Sequence, residues 1–217
     1  IERMAKEVFK TKHPVFVLTA SGTGGVEAAV LNVVRPKDKV IVPMFGEFGM
    51  RMAKQVERAG GEVIRVESPL GTAPEIDRVK EAFESTEDVK ALFVVYNDTS
   101  PGVTYRYLKD ISKVAKRYGA FVVVDAISIL GGDDLPQDEW EIDIVIAGTQ
   151  KCLAMPPGLV LVSVSREVLD YVDFLLNKYK DKGIKAKGFK FDWEGGLSEM
   201  RDKFTSIELQ HQGLEWR

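Results

Sequence analysis

Short apolar runs alternate along this chain with stretches in which apolar residues return every three to four positions. Residues 15–19 (VFVLT) form a continuous run of the kind a buried strand carries. Residues 24–34 follow with Val26, Ala29, Val30 and Val33 on one helical face. The same alternation predicts strands at 39–43, stopped by Pro43, and at 62–66. Between them a helix over 46–59 ends at Gly60-Gly61. Ile76, Val79 and Ala82 or Phe83 give residues 73–83 helical spacing. A strong strand at 89–96 (VKALFVVY) precedes a helix over 107–118 that ends at Gly119. Residues 121–124 (FVVV) are too short and too β-branched to prefer a helix. Strands at 142–147 and 159–163 and a helix from Arg166 to about Tyr179 complete the pattern. Seven strands alternating with helices predict a three-layer α/β/α fold around a mostly parallel seven-stranded sheet.

The pattern lapses after Tyr179. Six lysines crowd residues 178–190 with Gly183 and Gly188 among them, and Gly195-Gly196 and a mixed polar tail follow. Residues 1–179 therefore read as one α/β domain that starts within a helix. Residues 180–217 read as a tail: a solvated linker and surface helix, or a basic contact patch. The chain opens at Ile1 inside an amphipathic segment (Met4, Ala5, Val8, Phe9), with no basic stretch leading into an apolar one. It reads as part of a longer, cytoplasmic protein.

Composition narrows the chemistry. With 217 residues, 45% of them hydrophobic, the chain can bury a sizeable core. Thirty basic against 33 acidic residues leave a net charge of −3, which gives no general pull toward nucleic acid or an anionic membrane. No apolar run approaches the ~20 residues of a membrane span. The single cysteine, Cys152, excludes an internal disulfide and a multi-cysteine metal site. His13 and His211 alone exclude an HExxH zinc motif. Catalysis is left to Lys, Asp, Thr, Ser and Gly, or to a borrowed cofactor.

Functional residues of parallel α/β folds gather at strand carboxyl ends, and five such loops stand out. Residues 19–25 (TASGTGG) offer small residues and free N–H groups at a helix start, a setting that favours phosphate. They match neither GxGxxG nor a Walker A loop, and a capped glycine-rich turn accounts for them equally well. Phe48, in 45–51 (FGEFGMR), could stack on a flat cofactor or simply pack in the core. Residues 96–102 (YNDTSPG) hold polar side chains, or form a turn fixed by Pro and Gly. Asp125 ends a buried strand, where an ionised carboxylate needs a cation or a donor. Lys151 follows another strand, bracketed by small and apolar residues (GTQKCLAMPPG): it is an ordinary surface lysine, or one whose enclosure by them would favour its neutral amine. Cys152 beside it reads as a small packing residue.

In combination these loops resemble the pyridoxal 5′-phosphate (PLP) enzymes of fold type I. More narrowly they resemble the class V aminotransferases of the alanine–glyoxylate and serine–glyoxylate (serine–pyruvate) group. The resemblance covers about residues 15–165. It is carried most specifically by VDAIS at 124–128 with LGG at 130–132, by GTQK at 148–151 with PPG at 156–158, and by residues 18–29. It implies that Lys151 forms the Schiff base with PLP and moves the substrate Cα proton, while Asp125 holds the pyridine nitrogen protonated. It implies phosphate binding by Ser21, Gly22 and Thr23, and stacking by Phe48. Thr99 would bond the phenolic oxygen, and Gln150 would lie on the phosphate side. Small amino acids and 2-oxo acids are the implied substrates, and a homodimer the implied assembly.

Departures are present. Tyr96 stands where relatives commonly carry His, Asp98 for Glu, Pro101 for Thr and Ile129 for the second Ser of their Asp-Ala-Val-Ser-Ser pattern. The resemblance implies a small C-terminal domain carrying the arginine that binds substrate carboxylate, of which residues 180–217 read as a remnant or linker; beyond Arg166 only Arg201 and Arg217 remain, and neither matches. The cysteine desulfurases share the fold but carry a stacking His and a Ser-x-His-Lys, where this chain has Phe48 and Thr149-Gln150-Lys151. A non-catalytic PLP-fold binding protein is the other alternative.

Overall fold

The apolar runs pair into one sheet. The computed structural model describes residues 2–69 and 71–181. The elements are α1 (Glu2–Phe9), β1 (Val15–Leu18), α2 (Gly22–Val33), β2 (Lys39–Met44), α3 (Glu47–Arg58), β3 (Glu62–Glu67), α4 (Ile76–Glu84) and β4 (Val89–Val95). There follow β5 (Asn97–Asp98), β6 (Val103–Thr104), α5 (Leu108–Arg117), β7 (Phe121–Asp125), β8 (Ile144–Gly148), β9 (Val160–Val164) and α6 (Arg166–Asp181). Contacts divide the chain into Ile1–Leu176 and Asn177–Arg217. The sheet lies in the first unit; of the second, only the end of α6 is described. Lys182, Lys185, Lys187 and Lys190 of the lysine run, Arg201 and Arg217 lie outside the described residues.

Seven strands form the sheet in the order β1-β9-β8-β7-β4-β2-β3. From β8 through β7, β4 and β2 to β3 every pairing is parallel. Only β9 is reversed, antiparallel to both β8 and β1. The carboxyl ends of β1, β2, β4, β7 and β8 therefore share one edge of the sheet.

Helices cover both faces, which is why the central strands are apolar at successive positions. Val40, Val42, Phe93, Val123 and Ile144 pack with Val26, Val30 and Val33 of α2 and Met52 and Val56 of α3. The intervening Ile41, Leu92, Val94, Val122 and Val145 pack with Phe9 of α1, Val79 and Phe83 of α4 and Leu108 and Ile111 of α5. This is the predicted three-layer arrangement.

Three local details differ from the pattern-based reading. The helix expected from Gly24 begins at Gly22, because Ser21 Oγ accepts from the Gly24 N–H at 3.2 Å and caps it. The helix expected from residue 73 begins at Ile76: Pro74 disfavours helical backbone at Ala73, and Glu75 is extended. The polar loop after β4 contains the β5–β6 hairpin, pairing Asn97 with Thr104 and Asp98 with Val103.

The opposite edge is held by a buried ion pair. Asp143, 2% exposed, accepts from Lys116 Nζ with both oxygens at 2.9 Å, from Val122 N at 2.8 Å and from Ser165 Oγ at 3.0 Å. Asp143→Ala strands three donors at once, and we expect a loss of about 3 kcal/mol in urea unfolding. Among the described residues no helix is long and apolar enough to cross a membrane, and no three His, Cys, Asp or Glu side chains cluster to hold a metal ion.

Candidate active site

One cavity of about 210 Å³ opens at the shared carboxyl edge. Ser21, Gly22, Thr23, Phe48, Thr99, Asp125, Gln150 and Lys151, residues of five separate loops, all line it.

The first turn of α2 forms one wall. Ser21 caps the Gly24 N–H, and intrahelical bonding starts at Gly25 N. Gly22 and Thr23 precede it, so their N–H groups are first-turn donors without an intrahelical acceptor. Gly25 lets the helix lie this close to the sheet. A Cβ there would stand 2.6 Å from a Val160 methyl and 2.9 Å from one of Ile146.

Asp125 lies between Val95 of β4 and Ile146 of β8 in the sheet register. It is 8% exposed, and Oδ1 accepts from Ile127 N at 2.9 Å. No described residue donates to Oδ2. Burial pushes its carboxyl up to about 6; the Ile127 N–H counters part of that, and the charge of Asp98 adds to it.

Thr149, fully buried, closes the loop that presents Lys151. Its Oγ1 donates to the carbonyls of Pro156 at 2.8 Å and Leu159 at 3.0 Å, while Met155 N returns to Thr149 O at 2.9 Å. Of the two readings of Lys151 the surface lysine is the one found: it is exposed, as are residues 154–159, so this chain's apolar loop does not enclose the amine. The expected packing of Cys152 is corrected. Cys152 is exposed rather than packed away, with Sγ 3.2 Å from Ser128 O. Both follow from the hairpin-like closure at Thr149, which turns the loop tip outward.

Phe48 is half-buried, with the Arg51 guanidinium 5.3 Å from its ring centroid. Thr99 stands on the hairpin. Asn97 anchors that hairpin by accepting from Thr104 Oγ1 at 2.8 Å and donating to Ser128 Oγ at 3.0 Å. Four polar lining residues had no assigned role from sequence: Arg51, Gln55, Asn97 and Ser128. The first two were findable, since Phe48, Met52 and Gln55 recur at helical spacing along one face of α3. Gln55 Nε2 bonds Thr23 O at 3.2 Å and ties that face to the α2 wall.

A family model for aminotransferase class V matches residues 2–177. The chain belongs to the class V aminotransferases. It is 40% identical over 172 residues to an uncharacterised aminotransferase of Methanocaldococcus jannaschii, covering 79% of this chain and 44% of that one. It is 32% identical over 195 residues to the serine–glyoxylate aminotransferase of Hyphomicrobium methylovorum (86% and 46% covered). The structure of ureidoglycine–glyoxylate aminotransferase from Bacillus subtilis superposes with a TM-score of 0.77 at 30% identity, over 80% of this chain and 44% of that one. The chain spans about half the length of the relatives it matches. A second model, for a protein of unknown function (DUF2281), matches residues 162–212.

PLP is the cofactor of class V aminotransferases. The cavity's lining fits a group of that chemistry: a buried carboxylate whose Oδ2 has no donor among the described residues, first-turn N–H groups without an intrahelical acceptor, an aromatic face and an accessible amine.

Proposed function

We propose that this chain holds PLP and serves amino transfer between a small amino acid, alanine or serine, and a small 2-oxo acid, glyoxylate or pyruvate. The observation that carries this reading is the convergence of Lys151, Asp125 and the first turn of α2 on one cavity. The substrate class is supported by the glyoxylate aminotransferases among the relatives.

Bound PLP would supply an aldehyde that condenses with amines and a protonated ring that accepts an electron pair. Lys151 Nζ would be the attaching amine and, when freed by a substrate amine, the base that moves the substrate Cα proton. Oδ2 of Asp125, with no donor among the described residues, would accept from the ring N–H and keep that nitrogen protonated. Ser21, Gly22 and Thr23 would hold the phosphate on hydroxyls and N–H groups at the positive end of α2. Phe48 would pack on the ring, Thr99 would bond the phenolic oxygen, and Gln150 would lie on the phosphate side. The working form is a homodimer. The exposed Lys151 loop, with Met155 48% exposed and Leu159 36% exposed, is the surface that a second copy would cover.

The test is absorbance of the PLP-loaded chain on adding one substrate at a time. L-Alanine or L-serine should bleach the visible band, and glyoxylate or pyruvate should restore it. A band that persists with both amino acids contradicts transamination, and sulfide release from L-cysteine would favour the desulfurase-like alternative.

A further inference from the structure

Helix α3 begins without a cap of its own. Its N-cap is Gly46, which has no side chain to offer. Its three leading N–H groups are instead satisfied from the loop after β4, some fifty residues away. Asp98 Oδ2 accepts from Phe48 N at 2.9 Å and from Gly49 N at 3.1 Å. Ser100 Oγ accepts from Glu47 N at 2.8 Å. Asp98 Oδ1 in turn accepts from Ser100 N at 3.1 Å and Ser100 Oγ at 2.7 Å.

The carboxylate at its centre is dry: Asp98 is 0% exposed and both its oxygens are used, while Ser100 closes the arrangement at the surface. A Cβ on Gly46 would lie 2.3 Å from Asp98 Cγ, so the carboxylate occupies the space that a side chain at the helix start would need. A negative group at this end also complements the helix dipole. Phe48, so held, and Thr99, the residue next to Asp98, both line the cavity.

We infer that Asp98 is a positioning residue for the cofactor: it clamps the first turn of α3 to the β4 exit loop and so fixes Phe48 relative to Thr99 and Asp125 in the cavity. This rests on the reading that the cavity holds PLP with Phe48 on its ring. Asp98 touches no cofactor atom in that reading; it acts through Phe48. Asparagine cannot replace it, because one of its two ends is a donor. That end would face either the Phe48 and Gly49 N–H groups or the Ser100 N–H.

The test is a double-mutant cycle on the 217-residue chain, reading the PLP dissociation constant and the visible circular dichroism of the bound cofactor at saturation. Asp98→Asn should weaken PLP binding by about tenfold, the scale of hydrogen bonds to a charged group. It should also change the cofactor dichroism. Phe48→Ala should weaken binding comparably, and the double variant should bind within about threefold of Phe48→Ala, because the two act as one unit. Ser100→Ala removes one member of the clamp at an exposed residue and keeps the test decisive if Asp98→Asn does not fold. It should bind about threefold more weakly with altered dichroism. Wild-type affinity and dichroism in Ser100→Ala and Asp98→Asn, or losses from Asp98→Asn and Phe48→Ala that multiply, would overturn the inference while the functional reading stands. A wild-type chain that binds no PLP would overturn the reading itself, and the inference with it.

Discussion

Lys151→Ala is expected to abolish covalent attachment of PLP and to slow the amino-donor half-reaction by about 10⁴-fold or more. A positioned acid–base group alone contributes up to about that factor, and here the same amine also makes the attachment. Lys151 is exposed and no described side chain pairs with it, so unfolding stability should shift by no more than about 0.5 kcal/mol. That separation of effects identifies a residue present for chemistry rather than for the fold. The measurement is single-turnover absorbance with L-alanine or L-serine, with urea unfolding of the cofactor-free variant alongside. A variant that keeps a substrate-sensitive visible band would remove Lys151 from the mechanism.

Asp125→Asn is expected to move function and stability in opposite directions. The amide cannot hold the ring nitrogen protonated, so the half-reaction should slow by about 10²- to 10⁴-fold. The cofactor-free chain should become more stable at neutral pH. Burial lifts the folded carboxyl to about 6 from an ordinary value of 3.8, with the Ile127 N–H opposing and Asp98 assisting. Between those values the folded state binds more protons than the unfolded state, so wild-type stability falls as pH rises from about 4 to about 6. At pH 7 ionisation therefore costs the cofactor-free fold roughly 3 kcal/mol, an order-of-magnitude figure from about 1.4 kcal/mol per unit. Asn carries no such cost. Urea unfolding should show the variant ahead of wild type at pH 7, with the gap closing below about pH 4. A gap that is constant with pH would mean that Asp125 ionises without penalty. A ring cation beside Oδ2 offsets the same penalty, so the site's instability is relieved by what it is proposed to bind.

Much of this was legible because the sheet is covered on both faces. Buried strands then read as continuous apolar runs, such as 121–124, and their carboxyl ends mark where ligand-facing loops begin. Asp125 and Lys151 were accessible to that logic. The β5–β6 hairpin was not, since strands of two residues carry no periodicity. The part of Asp98 was hidden for a different reason: its partners Phe48 and Gly49 lie 50 and 49 positions away and meet it only across the sheet edge. The sequence around Lys151 left enclosure and exposure both open, because AMPPG is apolar in composition, while the Thr149 bonds to Pro156 and Leu159 turn it outward. Arg51 and Gln55 were passed over although α3 places them on the Phe48 face.

The proposed chemistry requires one covalent bond, the PLP linkage to Lys151. Borohydride reduction of the PLP-loaded chain, followed by peptide mass mapping, tests it directly. The predicted result is a single phosphopyridoxyl group on the peptide carrying Lys151. The label on a different lysine, or no reducible label on a chain with bound PLP, would contradict it.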